Sequence, residues 1–386
     1  MLKRAAPAPR TRWAAQSNSE RLVRALLEKA GIAVGGAAPH DIVVHDERVY
    51  ARVIRGGSLG LGEAYVEGWW DSPAVDETLA RILRAGLADQ AGTSWSETTS
   101  MLVARIFNPQ SRRRASQVAE QHYDIGNDLY RAMLDRRLVY TCGYWNGVQD
   151  LDRAQEAKLD LICRKLGLDT GMRLLDLGCG FGGLARYAAE KYGVRVTGLT
   201  LSRQQLEFGR ELCAGLPVEL RLQDYRDARG TYDRVVSVGI LEHVGTRNYR
   251  TYMKVVDRCL APGGISLVHT IGNPRSQTVG DPWITRNIFP NSSLPSIAQL
   301  ARAMEGLFLL EDLHAFGPDY DLTLMAWYRN FVSAWPELKA NYSERFYRKW
   351  TYYLLMSAAA FRTRHVQLFQ AVMTRADTPQ PHCRMS

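Results

Sequence analysis

Residues 174–183 read Leu-Leu-Asp-Leu-Gly-Cys-Gly-Phe-Gly-Gly. An apolar run ends at Asp176, and glycines follow at 178, 180, 182 and 183. The pattern predicts a buried strand that turns tightly into a helix running through Tyr192. Glycine permits such a turn and lets a ligand approach the main chain closely. In an open parallel sheet, the crevice at the carboxyl end of such a strand takes a nucleotide-like ligand. The spacing is Gly-x-Gly-x-Gly, not the Gly-x-Gly-x-x-Gly of a dinucleotide site. That favours S-adenosylmethionine, which has no pyrophosphate to seat on the helix end. Alone, the turn is a weak signal, and packing is its alternative reading.

The next strand ends carry polar groups. The second ends Thr200-Leu-Ser-Arg-Gln-Gln205, with hydroxyls and amides where NAD sites usually place a carboxylate for the ribose. Gln205 could reach that ribose. The third ends Gln223-Asp-Tyr-Arg226, where Asp224 could accept from an adenine amino group and Tyr225 lie against the ring. Capping and loop packing are the alternative for each. The fourth ends Ser237-Val-Gly-Ile-Leu-Glu-His-Val-Gly245 and the fifth Leu267-Val-His-Thr-Ile-Gly272. Glu242 and His269 thus belong to the same sheet edge. They could hold an anion, a proton or a substrate group there, or form a satisfied buried pair.

The elements that must position these residues alternate. Strands are predicted at 173–177, 195–199, 219–223, 234–238 and 265–270, and helices at 183–191, 203–213 and 249–260. This is a doubly wound parallel sheet. Helices at 127–134 and 154–166 precede it. Helices from Tyr320 and Glu344, a strand near 308–314 and a last strand at 366–374 follow it. The expected fold is α/β, a mostly parallel seven-stranded sheet with a smaller, mainly helical N-terminal domain. That domain, 19–90, is expected to hold a helix at 20–30 capped by Asn18 or Ser19, with Leu22, Leu26 and Leu27 on one face. A hairpin of 41–45 with 48–55, ended by Gly56-Gly57, and helices at 61–70 and 76–85 complete it. Residues 1–18 read as a disordered basic tail, 91–120 as a linker and 121–386 as the catalytic domain. In the linker, Arg112-Arg-Arg114 near Met101, Leu102, Val103, Ile106 and Phe107 suits an anionic lipid surface or a solvated segment.

Composition bounds the partners. The 386 residues are 46% apolar and carry a net charge of +9, with a pI near 9.3. That excess suits membrane lipid, nucleic acid or an acidic carrier, or serves solubility alone. The six cysteines show no Cys-x-x-Cys spacing, so no metal site is expected and reduced thiols in a cytoplasm are. The first 18 residues hold no apolar segment of the kind a secretory leader carries. The apolar stretch 352–361 is far shorter than the ~20 residues a spanning helix needs. Membrane contact, if any, is expected to be peripheral.

Further segments carry a resemblance. They are Gln121-His-Tyr-Asp-Ile-Gly-Asn-Asp-Leu-Tyr130, Tyr140-Thr-Cys-Gly-Tyr-Trp145, the glycine-rich turn, Leu241-Glu-His-Val-Gly245, His269-Thr-Ile271 and Gly317-Pro-Asp-Tyr-Asp-Leu-Thr-Leu-Met-Ala-Trp327. In this order they resemble the cyclopropane fatty acid synthases over about residues 45–375. Leu61-Gly-Glu-Ala-Tyr-Val-Glu-Gly-Trp-Trp70 is similar to the accessory domain of the bacterial phospholipid enzymes. The resemblance implies methyl transfer from S-adenosylmethionine to a cis double bond of an acyl chain, then proton loss and ring closure. It implies bicarbonate as base, held by Cys142, Glu242, His269, the backbone at Ile271, and Tyr320. It places the methyl donor on Tyr140, Thr141, Asp176, Gly178, Cys179, Gly180, Thr200, Leu201, Ser202, Gln205, Asp224 and Tyr225. Phe181 and Thr141 stand where Trp and Ser are common, and both keep the chemical character. Unsaturated phospholipid in a bilayer, a homodimer and no nucleic acid are the implied partners. The implied location is cytoplasmic, at the inner membrane surface.

The chemistry suits the residue types. An alkene is a poor nucleophile, so the sulfonium must be held in line within about 3–3.5 Å. The cation that forms needs aromatic faces or negative charge nearby, and Tyr140, Tyr144, Trp145, Phe181, Tyr320 and Trp327 are available; core packing accounts well for Trp145 and Trp327. Glu242 beside an anion requires a proton on Glu242 or one shared with bicarbonate. The insertion 274–300, with Trp283, Ile284, Ile288 and Phe289 beside Arg275 and Arg286, is a candidate lid or membrane-facing loop. Three other readings stay open: a lipid C-methyltransferase, a small-molecule N- or O-methyltransferase, and a lipid-binding scaffold without activity.

Overall fold

The computed structural model describes residues 17–87 and 126–385. The predicted tail up to residue 16, the 91–120 linker with its basic run, and the start of the catalytic domain at Gln121 lie outside the described residues.

The N-terminal elements are α1 (Asn18–Lys29), β1 (Val43–Val44), α2 (Arg48–Val66), β2 (Trp70–Asp71) and α3 (Val75–Arg84). Ser17, one residue earlier than expected, caps α1 by accepting from the Glu20 amide. The predicted hairpin is not formed. Residues 48–55 are helical, and α2 continues to Val66 across a kink at Gly57 (φ 49°, ψ −128°). The two-residue β1 pairs instead with β2. Helix α2 buries Val49, Tyr50, Ala64 and Tyr65, and that tertiary burial overrides the strand preference of its β-branched residues. One apolar cluster runs from Val23 and Leu27 through Trp70 and Leu79 to Trp327, Trp350 and Leu368. The N-terminal elements thus share a core with the C-terminal helices.

The remaining chain forms α4 (Asn127–Met133), α5 (Leu151–Lys165), β3 (Arg173–Asp176), α6 (Gly183–Tyr192), β4 (Arg195–Thr200), α7 (Arg203–Leu212), β5 (Val218–Leu222) and β6 (Tyr232–Val238). Then come α8 (Leu241–Val244), α9 (Tyr249–Cys259), β7 (Leu260–Gly272), α10 (Pro282–Asn287), α11 (Ile297–Met304), β8 (Leu309–Ala315), α12 (Pro318–Leu338), α13 (Glu344–Arg362) and β9 (Gln367–Thr374). The sheet order is β5-β4-β3-β6-β7-β9-β8. Strands β3 to β7 pair in parallel; β9 runs antiparallel to both β7 and β8. The fold is the expected mostly parallel seven-stranded α/β sheet. Its order reverses between β3 and β6, which opens a crevice at their carboxyl ends.

Two residues of the insertion correct the expectation of a membrane-facing loop. Trp283 is fully buried and Ile288 nearly so. Trp283 packs edge-on to Tyr352 at 4.7 Å, close enough that a Cβ on Gly62 would meet its ring at 2.5 Å. These side chains fasten the insertion to α2 and α13 and do not face a bilayer. Among the described residues, no helix is long and apolar enough to cross a membrane.

Candidate active site

A cavity of about 210 Å³ opens at the reversal point. All twelve residues expected to hold a methyl donor line it: Tyr140, Thr141, Asp176, Gly178, Cys179, Gly180, Thr200, Leu201, Ser202, Gln205, Asp224 and Tyr225. They come from the ends of β3, β4 and β5 and from the segment before α5. Gly182 caps α6 in the left-handed region (φ 82°), and glycine tolerates that angle without strain. The turn can therefore leave β3 sharply and keep its main chain against the cavity.

Local bonds set what each group can offer. Thr200 donates through Oγ1 to Gln205 Oε1 at 2.9 Å, which leaves the Gln205 amide N–H as its donor. Ser202 caps α7 by accepting from the Gln205 amide at 3.2 Å. Asp224 accepts from the Arg226 amide and from Arg226 Nη1 at 2.8 and 2.9 Å, so both its oxygens are engaged by Arg226. Burial raises the Asp176 carboxyl to about 7; its Oδ1 accepts from the Gly178 amide. Tyr140 shares a 2.9 Å hydroxyl bond with Tyr353.

The five residues expected to hold an anion do not line this cavity; they lie behind its wall. Glu242, on α8, follows the cavity-lining Ile240 by two residues. Its Oε1 accepts from the Ile271 amide at 2.6 Å, and its carbonyl accepts from the Ser293 amide at 2.9 Å. The His269 carbonyl accepts from the amide of cavity-lining Gly239 at 2.9 Å. Strand β7 thus brings His269 and Ile271 against α8. Gln370 Nε2 lies 3.2 Å from His269 Nδ1. With Gln370 donating, the imidazole hydrogen sits on Nε2. Burial raises the Glu242 carboxyl to about 7 and lowers His269 well below the usual imidazole range. Glu242 Oε2 and His269 Nε2 are both buried without a hydrogen-bond partner.

Cys142 and Tyr320 are placed by other contacts. The Cys142 thiol donates to the Gly143 carbonyl at 3.1 Å and touches Thr323 Oγ1 at 3.9 Å. Tyr320 stacks on Phe361 at 4.5 Å and meets Trp327 edge-on at 6.0 Å. Trp327 packs against Tyr140 at 5.1 Å. An aromatic row therefore runs from the cavity wall to Tyr320.

Several residues at this site were not singled out by the sequence. His243, Pro290 and Asn291 line the cavity, the latter two supplied by the insertion. Gln155 donates to the Thr141 carbonyl at 2.7 Å and Lys158 to the Thr141 hydroxyl at 2.8 Å. A signal existed for these two: with Leu151, Ile162 and Lys165 they fall on the buried stripe of α5, where polar types are unusual.

The segment 110–371 matches the family model described as mycolic acid cyclopropane synthetase. A cyclopropane-fatty-acyl-phospholipid synthase of Escherichia coli (strain K12) is 51% identical over 358 residues, covering 93% of this chain and 94% of the relative. The cyclopropane synthase MmaA2 from Mycobacterium tuberculosis superposes with a TM-score of 0.64 at 30% identity, over 67% of this chain and 97% of that one. The mycolic acid cyclopropane synthase CmaA1, crystallised with SAH and CTAB, gives 0.63 at 31% identity, with the same coverage of 67% and 97%.

Proposed function

The chain belongs to the mycolic acid cyclopropane synthetase family, and on that premise we propose that it transfers a methylene from S-adenosylmethionine across the cis double bond of unsaturated acyl chains in membrane phospholipids. One observation carries this reading. A strand-end cavity of cofactor type backs onto a buried carboxyl and imidazole, each with a hydrogen-bonding atom left unpartnered. Buried polar atoms are nearly always paired, so the two atoms fit a small hydrogen-bonding ligand such as bicarbonate.

When bound, S-adenosylmethionine supplies an electrophilic methyl and bicarbonate a base. The protein's own residues do the rest. The glycine turn and the ends of β4 and β5 shape the cavity for an adenosyl group, with the Gln205 amide N–H and the Tyr225 ring as its polar and flat surfaces. Tyr140, Trp327 and Tyr320 form the aromatic row beside which a positive charge on the acyl chain is stabilised. Glu242 and His269 hold the anion away from the donor. Near neutral pH Glu242 is poised between its two forms and His269 is neutral, so protonated Glu242 and the Nε2–H of His269 both donate to the anion. The Ile271 amide fixes Glu242 in place. Cys142 and Tyr320 complete the proposed set, held by Thr323 and by Phe361 and Trp327 respectively. The excess positive charge draws the enzyme to anionic lipid, as a peripheral protein of the cytoplasmic leaflet acting as a homodimer.

The test is incubation of the purified protein with S-adenosylmethionine and vesicles of cis-unsaturated phospholipid. The acyl chains gain one CH2, and their olefinic signals are replaced by those of ring methines. Chains recovered unchanged, with the protein folded and S-adenosylhomocysteine bound, would overturn the assignment of substrate.

A further inference from the structure

Lys158 is fully buried, yet it lines the cavity. Its Nζ donates to the hydroxyl of Thr141 at 2.8 Å. Among the described residues no carboxylate lies within ion-pair distance of it. The two acids in its surroundings are Asp135 and Asp176. Asp135 accepts from the Arg137 and Val139 amides, and Asp176 from the Gly178 amide. An ammonium taken out of water is costly, and one neutral hydroxyl returns little of that cost. A lysine that only packed the core would be paired, or would be replaced by an apolar residue without loss.

Thr141 is held just as firmly. Its carbonyl accepts from Gln155 Nε2 at 2.7 Å. Its methyl lies against Gly239, where a Cβ would come within 2.9 Å of it. The hydroxyl oxygen is occupied by the Lys158 donor, so the hydroxyl hydrogen is left to point elsewhere. A hydroxyl polarised by a cationic donor is itself a stronger donor.

We propose that Lys158 and the Thr141 hydroxyl it orients form the subsite that recognises the carboxylate of the methyl donor's amino-acid moiety. This rests on the reading of the cavity as the S-adenosylmethionine site. Lys158 supplies the countercharge, and Thr141 supplies a directed O–H. The carboxylate in turn completes the pairing of the buried ammonium. The amino-acid end of the donor is thereby seated toward α5, and its adenosyl end toward β4 and β5.

The experiment measures binding of S-adenosylhomocysteine and of its decarboxylated analogue by calorimetry. The proteins are wild type, Lys158→Met and Thr141→Val. Wild type should prefer the carboxylate-bearing ligand by about tenfold or more, the scale of one charge-assisted contact. Lys158→Met should lose most of that preference while binding the analogue nearly as wild type does, and Thr141→Val should lose part of it. If Lys158→Met does not fold, the wild-type preference and Thr141→Val still decide. Equal binding of both ligands by wild type, or an unchanged preference in folded Lys158→Met, would overturn the inference and leave the reading of the cavity intact. Wild type that binds neither ligand would instead defeat that reading.

Discussion

Replacing Glu242 by Gln separates two properties of one side chain. The folded-state carboxyl titrates at about 7 against an ordinary 4.5, because burial penalises its charge. A raised pKa contributes stability that is complete below the unfolded value and is lost as pH rises through the folded one. Glutamine does not titrate. Glu242→Gln should therefore gain stability relative to wild type between pH 5 and 8, by on the order of 1–3 kcal/mol. Thermal unfolding of both proteins across that range checks the sign; a difference independent of pH contradicts it. The same variant should lose roughly 10²-fold or more in kcat, with an altered bicarbonate requirement. Full activity with an unchanged requirement would remove Glu242 from the anion site. At this scale the sequence was informative where residue type and strand end coincide, as at Asp176, Glu242 and His269. It missed Lys158 and Gln155, although their spacing places them on one helix stripe with Leu151 and Ile162, and the packing shows that this stripe is the buried one. It did not anticipate that Arg226 would fold back onto the Asp224 carboxylate, which lines the cavity as expected.

Helix α5 carries Gln155 and Lys158, so the cavity wall depends on where that helix lies. At its far end Lys165 donates to Asp312 of β8 at 2.7 Å, and both side chains are buried. Removing one partner strands a buried charge, so Lys165→Ala should destabilise the protein by about 3–5 kcal/mol. Lys165→Met with Asp312→Leu should recover most of that loss. Denaturant unfolding of the three variants checks this, and equal losses for the single and the double change would contradict it. The doubly wound strands and their helices were legible because burial on both faces writes continuous apolar runs. Residues 48–55 were not, since Val49, Val53 and Ile54 favour a strand locally while the shared core selects a helix. The membrane-facing reading of Trp283 and Ile288 in the insertion failed for a related reason. Its aromatic residues resemble a membrane-facing loop until Gly62 and Tyr352 are seen to enclose Trp283.

The whole molecule carries a net charge of +9, and each Lys or Arg near an anionic bilayer contributes roughly 1 kcal/mol. Binding to anionic vesicles should weaken steeply as salt rises and be slight on neutral vesicles, as sedimentation will show. Indifference to both salt and anionic lipid would remove charge as the means of attachment. The order of the doubly wound strands and helices, and the sheet edge their ends share, were readable from spacing alone. The shared core of N-terminal and C-terminal helices was not, because contacts so distant in sequence leave no periodic trace. The central claim is that this sheet edge builds a three-membered ring on an unsaturated acyl chain. Its most direct measurement is NMR of phospholipid vesicles after turnover with methyl-labelled S-adenosylmethionine, in bicarbonate-free buffer and after bicarbonate is restored. The account predicts the label in a ring methylene at unusually high field, formed slowly without bicarbonate and fast with it. Label found in a methyl or an exocyclic methylene branch would contradict it.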